Sequence, residues 1–311
     1  MIINTGQRTD IPAFYARWFA NRLREGMVLV RSPYNPVSVT RYRLDPEVVD
    51  VIGMCSKNPA PLFPYMDLLR PFRQLWHVTI TPYGKEIEPF VPDKRSVLES
   101  FRRLSDMVGP QCMVWRYDPI LINEQYPAER HIRAFSYMAR ELEGYTHTAV
   151  ISFIDLYEKT RRNFPEVRSV DREDRLMLGR AMVEIAKTHG MTVRPCAEGD
   201  ELAEFGADCS GCMTIPVYEQ AIGRHLNVPA HAPARKMCAC HLSADIGAYN
   251  SCGHFCRYCY ANYDADVVRR NMKEHDPDSP LLIGHLKPGD VVRDAQQESW
   301  IDPQLSMDFL P

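Results

Sequence analysis

What most limits the fold of this chain is an alternation of short apolar runs with helix-patterned runs, repeated along residues 1–196. Met1 to Asn4 is a short apolar start. Asp10 is placed to cap a helix with Pro12 in its first turn. Phe14, Trp18, Phe19 and Leu23 then recur at helical spacing until Gly26 stops the run. Met27 to Val30, Val37 to Tyr42, Val48 to Cys55, Leu75 to Thr81, Cys112 to Tyr117, Thr148 to Ile154 and Met191 to Cys196 have strand character. Asp93 to Val108, Ala128 to Leu142 and Arg172 to Lys187 have helical character, closed by Gly109, Gly144 and Gly190. Strands separated this regularly by helices predict parallel βαβ units. No Gly-rich phosphate fingerprint follows the first strand, which argues against a dinucleotide-binding sheet. The expectation is an α/β fold: a complete or incomplete TIM-like (β/α) barrel over residues 1–200, followed by a Cys-rich iron–sulfur segment.

Composition narrows the function classes. Hydrophobic residues are 45% and charged residues 25%, enough apolar material for a sizeable core. A net charge of -3 gives no field that by itself favours DNA or a membrane. No apolar run approaches the roughly 18 residues of a membrane-spanning helix. Met1 to Asp10 is polar and unlike a signal peptide, so the expected location is cytoplasmic. Disulfides rarely persist there. Yet eight of the ten cysteines fall between Cys196 and Cys259, and thiols so dense in a reducing compartment usually hold metal. Residues 201–270 are therefore expected to organise metal against the barrel, and 271–311 to form a polar extension and tail.

The sharpest motif is Cys252-Gly-His-Phe-Cys256-Arg-Tyr-Cys259-Tyr260, a C-x3-C-x2-C spacing with an aromatic before the last cysteine. Three thiolates on one tight loop can hold three irons of a 4Fe–4S cluster and leave the fourth open to a ligand. The alternative is a zinc site, with Cys240 or His254 as fourth ligand, or with Cys209 and Cys212 pairing with Cys256 and Cys259. Cys196, Cys209, Cys212, Cys238 and Cys240 give five candidates for a second site, an iron–sulfur cluster or zinc. Cys55 and Cys112 sit inside apolar runs and read as core.

The spacing and its aromatic resemble the radical S-adenosylmethionine signature. The run Tyr258-Cys259-Tyr260-Ala261 looks like the branch that contains spore photoproduct lyase. The resemblance implies S-adenosylmethionine chelated to the open iron, with Tyr258, Tyr260 and Asn262 beside it. It also implies an electron donor such as ferredoxin or flavodoxin. Radical enzymes usually carry this motif after their first strand, whereas here it lies late. The stretch from Cys238 to Asn262 is moreover similar to a bacterial family catalogued as domain of unknown function 1848. So are Arg8 to Tyr15, Ser56 to Pro59, Trp115 to Pro119, Ser152 to Asp155 and Gln297 to Trp300. That resemblance implies a TIM-like fold with a C-terminal cysteine cluster. It also favours Cys196, Cys212, Cys238 and Cys240 over Cys209 for the second site.

Active-site residues of such barrels sit at the C-terminal ends of strands. Arg8, Asp10, Lys57, Arg116, Asp118, Asp155 and Glu198 follow apolar runs in that way. The cations suit a carboxylate or phosphate; the acids suit ribose hydroxyls or proton transfer. Ser152 and Tyr117 are candidate pocket polar groups, whereas His77, His131 and His189 read as structural or exposed. The end, Gln304-Leu305-Ser306-Met307-Asp308-Phe309, resembles the bacterial sliding-clamp-binding peptide. With the lyase-like motif it points to a radical S-adenosylmethionine-type enzyme, a lyase acting on damaged nucleic acid. The alternative is a non-radical iron–sulfur or zinc protein whose barrel binds a small ligand.

Overall fold

A computed structural model describes residues 1–229 and 238–303. Its chain begins with β1 (Ile2–Asn4), α1 (Ile11–Phe14), α2 (Ala16–Glu25), β2 (Met27–Arg31), β3 (Ser38–Arg43) and β4 (Val51–Ser56). Next come α3 (Met66–Leu69), β5 (Gln74–Thr79), α4 (Lys94–Val108), β6 (Met113–Ile120), α5 (Ala128–Leu142), β7 (Thr148–Phe153) and α6 (Glu158–Asn163). It ends with α7 (Arg172–Thr188), β8 (Thr192–Pro195), α8 (Ile215–Ile222), β9 (Ala244–Asp245), α9 (Ala265–Glu274) and β10 (Val291–Asp294).

Seven strands form one sheet in the order β8-β7-β6-β5-β4-β1-β9, each neighbouring pair parallel. The α/β expectation holds. The complete barrel is not found: among the described residues β8 and β9 do not pair, and the sheet is open. The two edges are poor partners for closure, since β9 has only two residues and β8 ends at Pro195, which has no N–H to donate. The apolar runs at Met27 and Val37 do not join this sheet. They form an antiparallel hairpin, β2–β3, extended by β10 in a separate sheet. The polar C-terminal extension is thereby held on the body of the protein. Asp50 fastens it further, accepting from Ser299 Oγ at 2.6 Å and Trp300 N at 2.8 Å.

Strand residues alternate between the two faces of the sheet. Trp76, Val78, Trp115, Ile151 and Val193 pack with Phe101, Phe135, Leu178 and Met182 of the covering helices in the main core. Ile2, Val51, Leu75, Val114 and Val150 face the other way, against Val217, Tyr218 and Ala221 of α8. Two residues further along each strand, on that same face, come Asn4, Gly53, His77, Arg116 and Ser152, so the polar side chains among them sit above an apolar floor. No described helix is long and apolar enough to cross a membrane.

Candidate metal and cofactor site

Because the strands are parallel, their C-terminal ends share one rim. The loops that leave this rim carry most of the expected residues. Asp10 ties three of them together. Its Oδ1 accepts from Ala13 N at 3.0 Å, capping α1, and from Ser56 Oγ at 2.7 Å. Its Oδ2 accepts from Lys57 N at 2.7 Å and lies 2.8 Å from His254 Nε2 in the cysteine loop. Lys57 continues the web, with Nζ 2.9 Å from Glu88 Oε1. Thr81 Oγ1 donates to the same oxygen at 2.8 Å, and Lys94 and the Tyr258 hydroxyl also bind this carboxylate. Burial alone would raise the Glu88 carboxyl, but Lys57 and Lys94 hold it at about 2.

Cys252, Cys256 and Cys259 lie on the loop beyond β9. Burial is the leading cause that pushes all three thiols up. Each of Cys252 and Cys256 also feels the charge of Cys259, while Lys57 favours the thiolates of Cys256 and Cys259. The loop is tightly wound: Asn250 and Phe255 adopt left-handed φ of 54° and 53°. Such conformations persist only where surrounding contacts impose them. A Cβ on Gly253 would come within 2.7 Å of the Phe14 ring and 3.0 Å of Met272 Cε. Asn262 Nδ2 donates to the Cys252 carbonyl at 2.8 Å, and Ala261 N to Cys259 Sγ at 3.3 Å. Among the described residues, Asn4 Nδ2, Gln7 Nε2, Thr9 Oγ1, Asn262 Oδ1 and both ring nitrogens of His77 are buried without a hydrogen-bond partner. Such groups are costly unless something else satisfies them.

A second group of thiols lies over the α8 face. Cys212 Sγ is 3.4 Å from Cys196 Sγ and 3.3 Å from Cys240 Sγ. They line a cavity of about 340 Å³ with Cys238, Cys209, Glu198 and Asp200. Arg116, paired with Asp118 at 2.5 Å, donates from NH1 to Cys212 Sγ at 3.5 Å. Burial pushes the Glu198 carboxyl up to about 7, against the Phe153 N–H that it accepts at 2.8 Å. Even so, among the described residues no group of three or more His, Cys, Asp and Glu is arranged as a ready metal-ion site.

The remaining candidates are more dispersed. Arg8 lies 3.8 Å from Asp245, whose carboxyl burial raises to about 6. Tyr260 is 47% exposed and donates to the Gln7 carbonyl at 2.5 Å. Asp155 is exposed and accepts from Tyr157 OH at 3.1 Å. Cys55 is half-buried and packs on the α8 face beside Arg116, while Cys112 is half-buried with its thiol 3.4 Å from the Ala221 carbonyl. Gln304 to Phe309 lie outside the described residues. Glu88, Lys94 and Asp245 were not among the expected site residues. Glu88 sits in a Pro-rich loop with no periodicity, and Asp245 in a strand of two residues, so neither position carries a pattern.

A search of curated proteins finds no match. A family model described as "Domain of unknown function (DUF1848)" matches residues 2–261. With most of its length covered by that model, the chain belongs to the domain of unknown function 1848 family.

Proposed function

We propose that this chain is an iron–sulfur enzyme of the radical S-adenosylmethionine type. In this reading Cys252, Cys256 and Cys259 hold three irons of a 4Fe–4S cluster, and the open iron takes S-adenosylmethionine. The observation that supports it is a single tightly wound loop that carries all three cysteines and is tied to the rim by His254 Nε2, 2.8 Å from Asp10 Oδ2, and by Asn262 Nδ2 on the Cys252 carbonyl at 2.8 Å. The donor set suits the group. Thiolates ligate such clusters, and a cuboidal cluster spreads its cysteines farther apart than a single ion does. Bound together, the cluster and S-adenosylmethionine supply one-electron cleavage of the sulfonium and hydrogen-atom abstraction.

The chain's own residues would prepare the site. Lys57 offsets negative charge beside Cys256, and Glu88 with Asp10 fixes Lys57 and the cysteine loop. Gln7 and Thr9 offer donors and Asn262 an acceptor to a polar cofactor. Within this reading the open sheet is an incomplete (β/α) barrel, with its chemistry at the C-terminal rim. A one-electron donor such as ferredoxin or flavodoxin is required. The substrate class we favour is damaged nucleic acid, on the likeness of Tyr258 to Ala261 to the photoproduct-lyase branch, with the tail from Gln304 to Phe309 as a sliding-clamp peptide.

The test is Cys256→Ala in anaerobically reconstituted protein. It should abolish cluster absorbance and S-adenosylmethionine cleavage together; retained cleavage overturns the reading. Wild-type protein that cleaves S-adenosylmethionine but leaves a photolesion oligonucleotide unchanged would overturn the substrate and keep the chemistry.

A further inference from the structure

We propose that Cys196, Cys212, Cys238 and Cys240 form a second site, for a single zinc-class cation, independent of the cysteine loop at Cys252. Three segments far apart in sequence bring these thiols together. Cys196 follows β8, Cys212 precedes α8, and Cys238 and Cys240 precede β9. All four are buried and line one cavity.

The spacing selects the occupant. A tetrahedral zinc about 2.3 Å from each sulfur sets its ligands about 3.8 Å apart. The sulfur contacts of 3.4 and 3.3 Å on Cys212 have to open by only about half an ångström to match that about 3.8 Å edge. A cuboidal cluster would need them to separate much farther. The backbone is shaped to leave this space. Ala197 has a left-handed φ of 60°, and a Cβ on Gly211 (φ 112°) would come 2.8 Å from Thr214 Cγ2 and 3.3 Å from Ala239 Cβ. Cys209 lines the cavity but packs with the helix-side core, so it is not assigned as a ligand.

Arg116 supplies the outer shell. Four thiolates on a dication leave two negative charges, and the guanidinium hydrogen-bonded to Cys212 offsets one of them. Binding is not a redox step: each thiol that ligates the ion releases its proton to solvent. The location gives the site a purpose. Its ligands flank β8 and β9, the two edges that the sheet leaves unpaired, so the ion would clip an open sheet across its gap.

The experiment uses full-length protein purified anaerobically from zinc-supplemented medium. Zinc-edge X-ray absorption should give stoichiometric zinc with four sulfur neighbours at about 2.3 Å. The triple variant Cys252→Ser, Cys256→Ser, Cys259→Ser should keep this zinc, and Cys212→Ser should lose it. Nitrogen or oxygen neighbours, substoichiometric zinc, iron retained by the triple variant, or a disulfide at Cys212 would each overturn the assignment. Should Cys212→Ser fail to fold, the zinc content and absorption spectrum of the triple variant decide.

Discussion

Replacing Asp10 by alanine isolates the contact that links the loop after the first strand of the sheet to the cysteine loop. The wild-type carboxylate is 6% exposed and has four partners at 2.7 to 3.0 Å: Ala13 N, Ser56 Oγ, Lys57 N and His254 Nε2. Loss of the cap on α1 costs about 1 kcal/mol. Each buried donor left without its charged acceptor costs about 1–3 kcal/mol more, and partial relaxation makes the sum less than additive. Asp10→Ala should therefore lose about 3–5 kcal/mol of stability. Asp10→Asn keeps an acceptor for two partners but turns an NH2 group towards Lys57 N or His254, so it should recover only part of the loss. The assay is urea unfolding followed by tryptophan fluorescence. A double-mutant cycle with His254→Ala should give a coupling of about 1–3 kcal/mol. A loss under about 1 kcal/mol for Asp10→Ala, or no coupling to His254, would refute the argument that this carboxylate organises the rim.

Three other perturbations follow from the packing. Glu88→Leu removes the carboxylate that Lys57 and Lys94 share and should cost about 3–5 kcal/mol, measured by chemical denaturation; a neutral result would contradict the assigned ion-pair web. Gly6→Ala would bring a methyl within 2.4 Å of the Cys55 Cβ and carbonyl oxygen, so it should destabilise by about 1–3 kcal/mol or more; an unchanged thermal midpoint would show that the loop has room. His131 is fully buried between the Tyr117 hydroxyl and the Leu121 carbonyl, and burial lowers its pKa from 6.5 to about 4. Its neutral form is favoured by folding, so its contribution is complete above pH 6.5 and is lost as the pH falls towards about 4. That window is worth about 3 kcal/mol. His131→Gln should flatten that part of the acid limb, and an unaltered pH profile would rule the residue out as its cause.

Much of the architecture was legible because its signals are local. Asp10, Asp93 and Asp171 each accept from a backbone N–H in the first turn of the helix they precede, and Gly26 closes α2 with φ 68°. The strands whose two faces are both buried read as apolar runs, as parallel strands do. Other features have no local signal. β9 is too short for a pattern, although it orders the cysteine loop beside β1. The pairing of β10 with β3 joins residues more than 250 apart, as in the bond from Arg41 to Asp294. Asp10 and Lys57 were legible at strand ends, but the carboxylate that joins them to the web was not. Glu88 is a buried carboxylate whose partners come from four other positions, Lys57, Thr81, Lys94 and Tyr258, and only the folded chain assembles them.

The proposed function requires an open iron on the Cys252, Cys256 and Cys259 loop. Its most direct measurement is electron paramagnetic resonance of anaerobically purified, dithionite-reduced protein, with and without S-adenosylmethionine. A radical enzyme should give a reduced 4Fe–4S signal that shifts when S-adenosylmethionine is added. A signal indifferent to S-adenosylmethionine, or a loop that binds zinc and gives no signal, would contradict it.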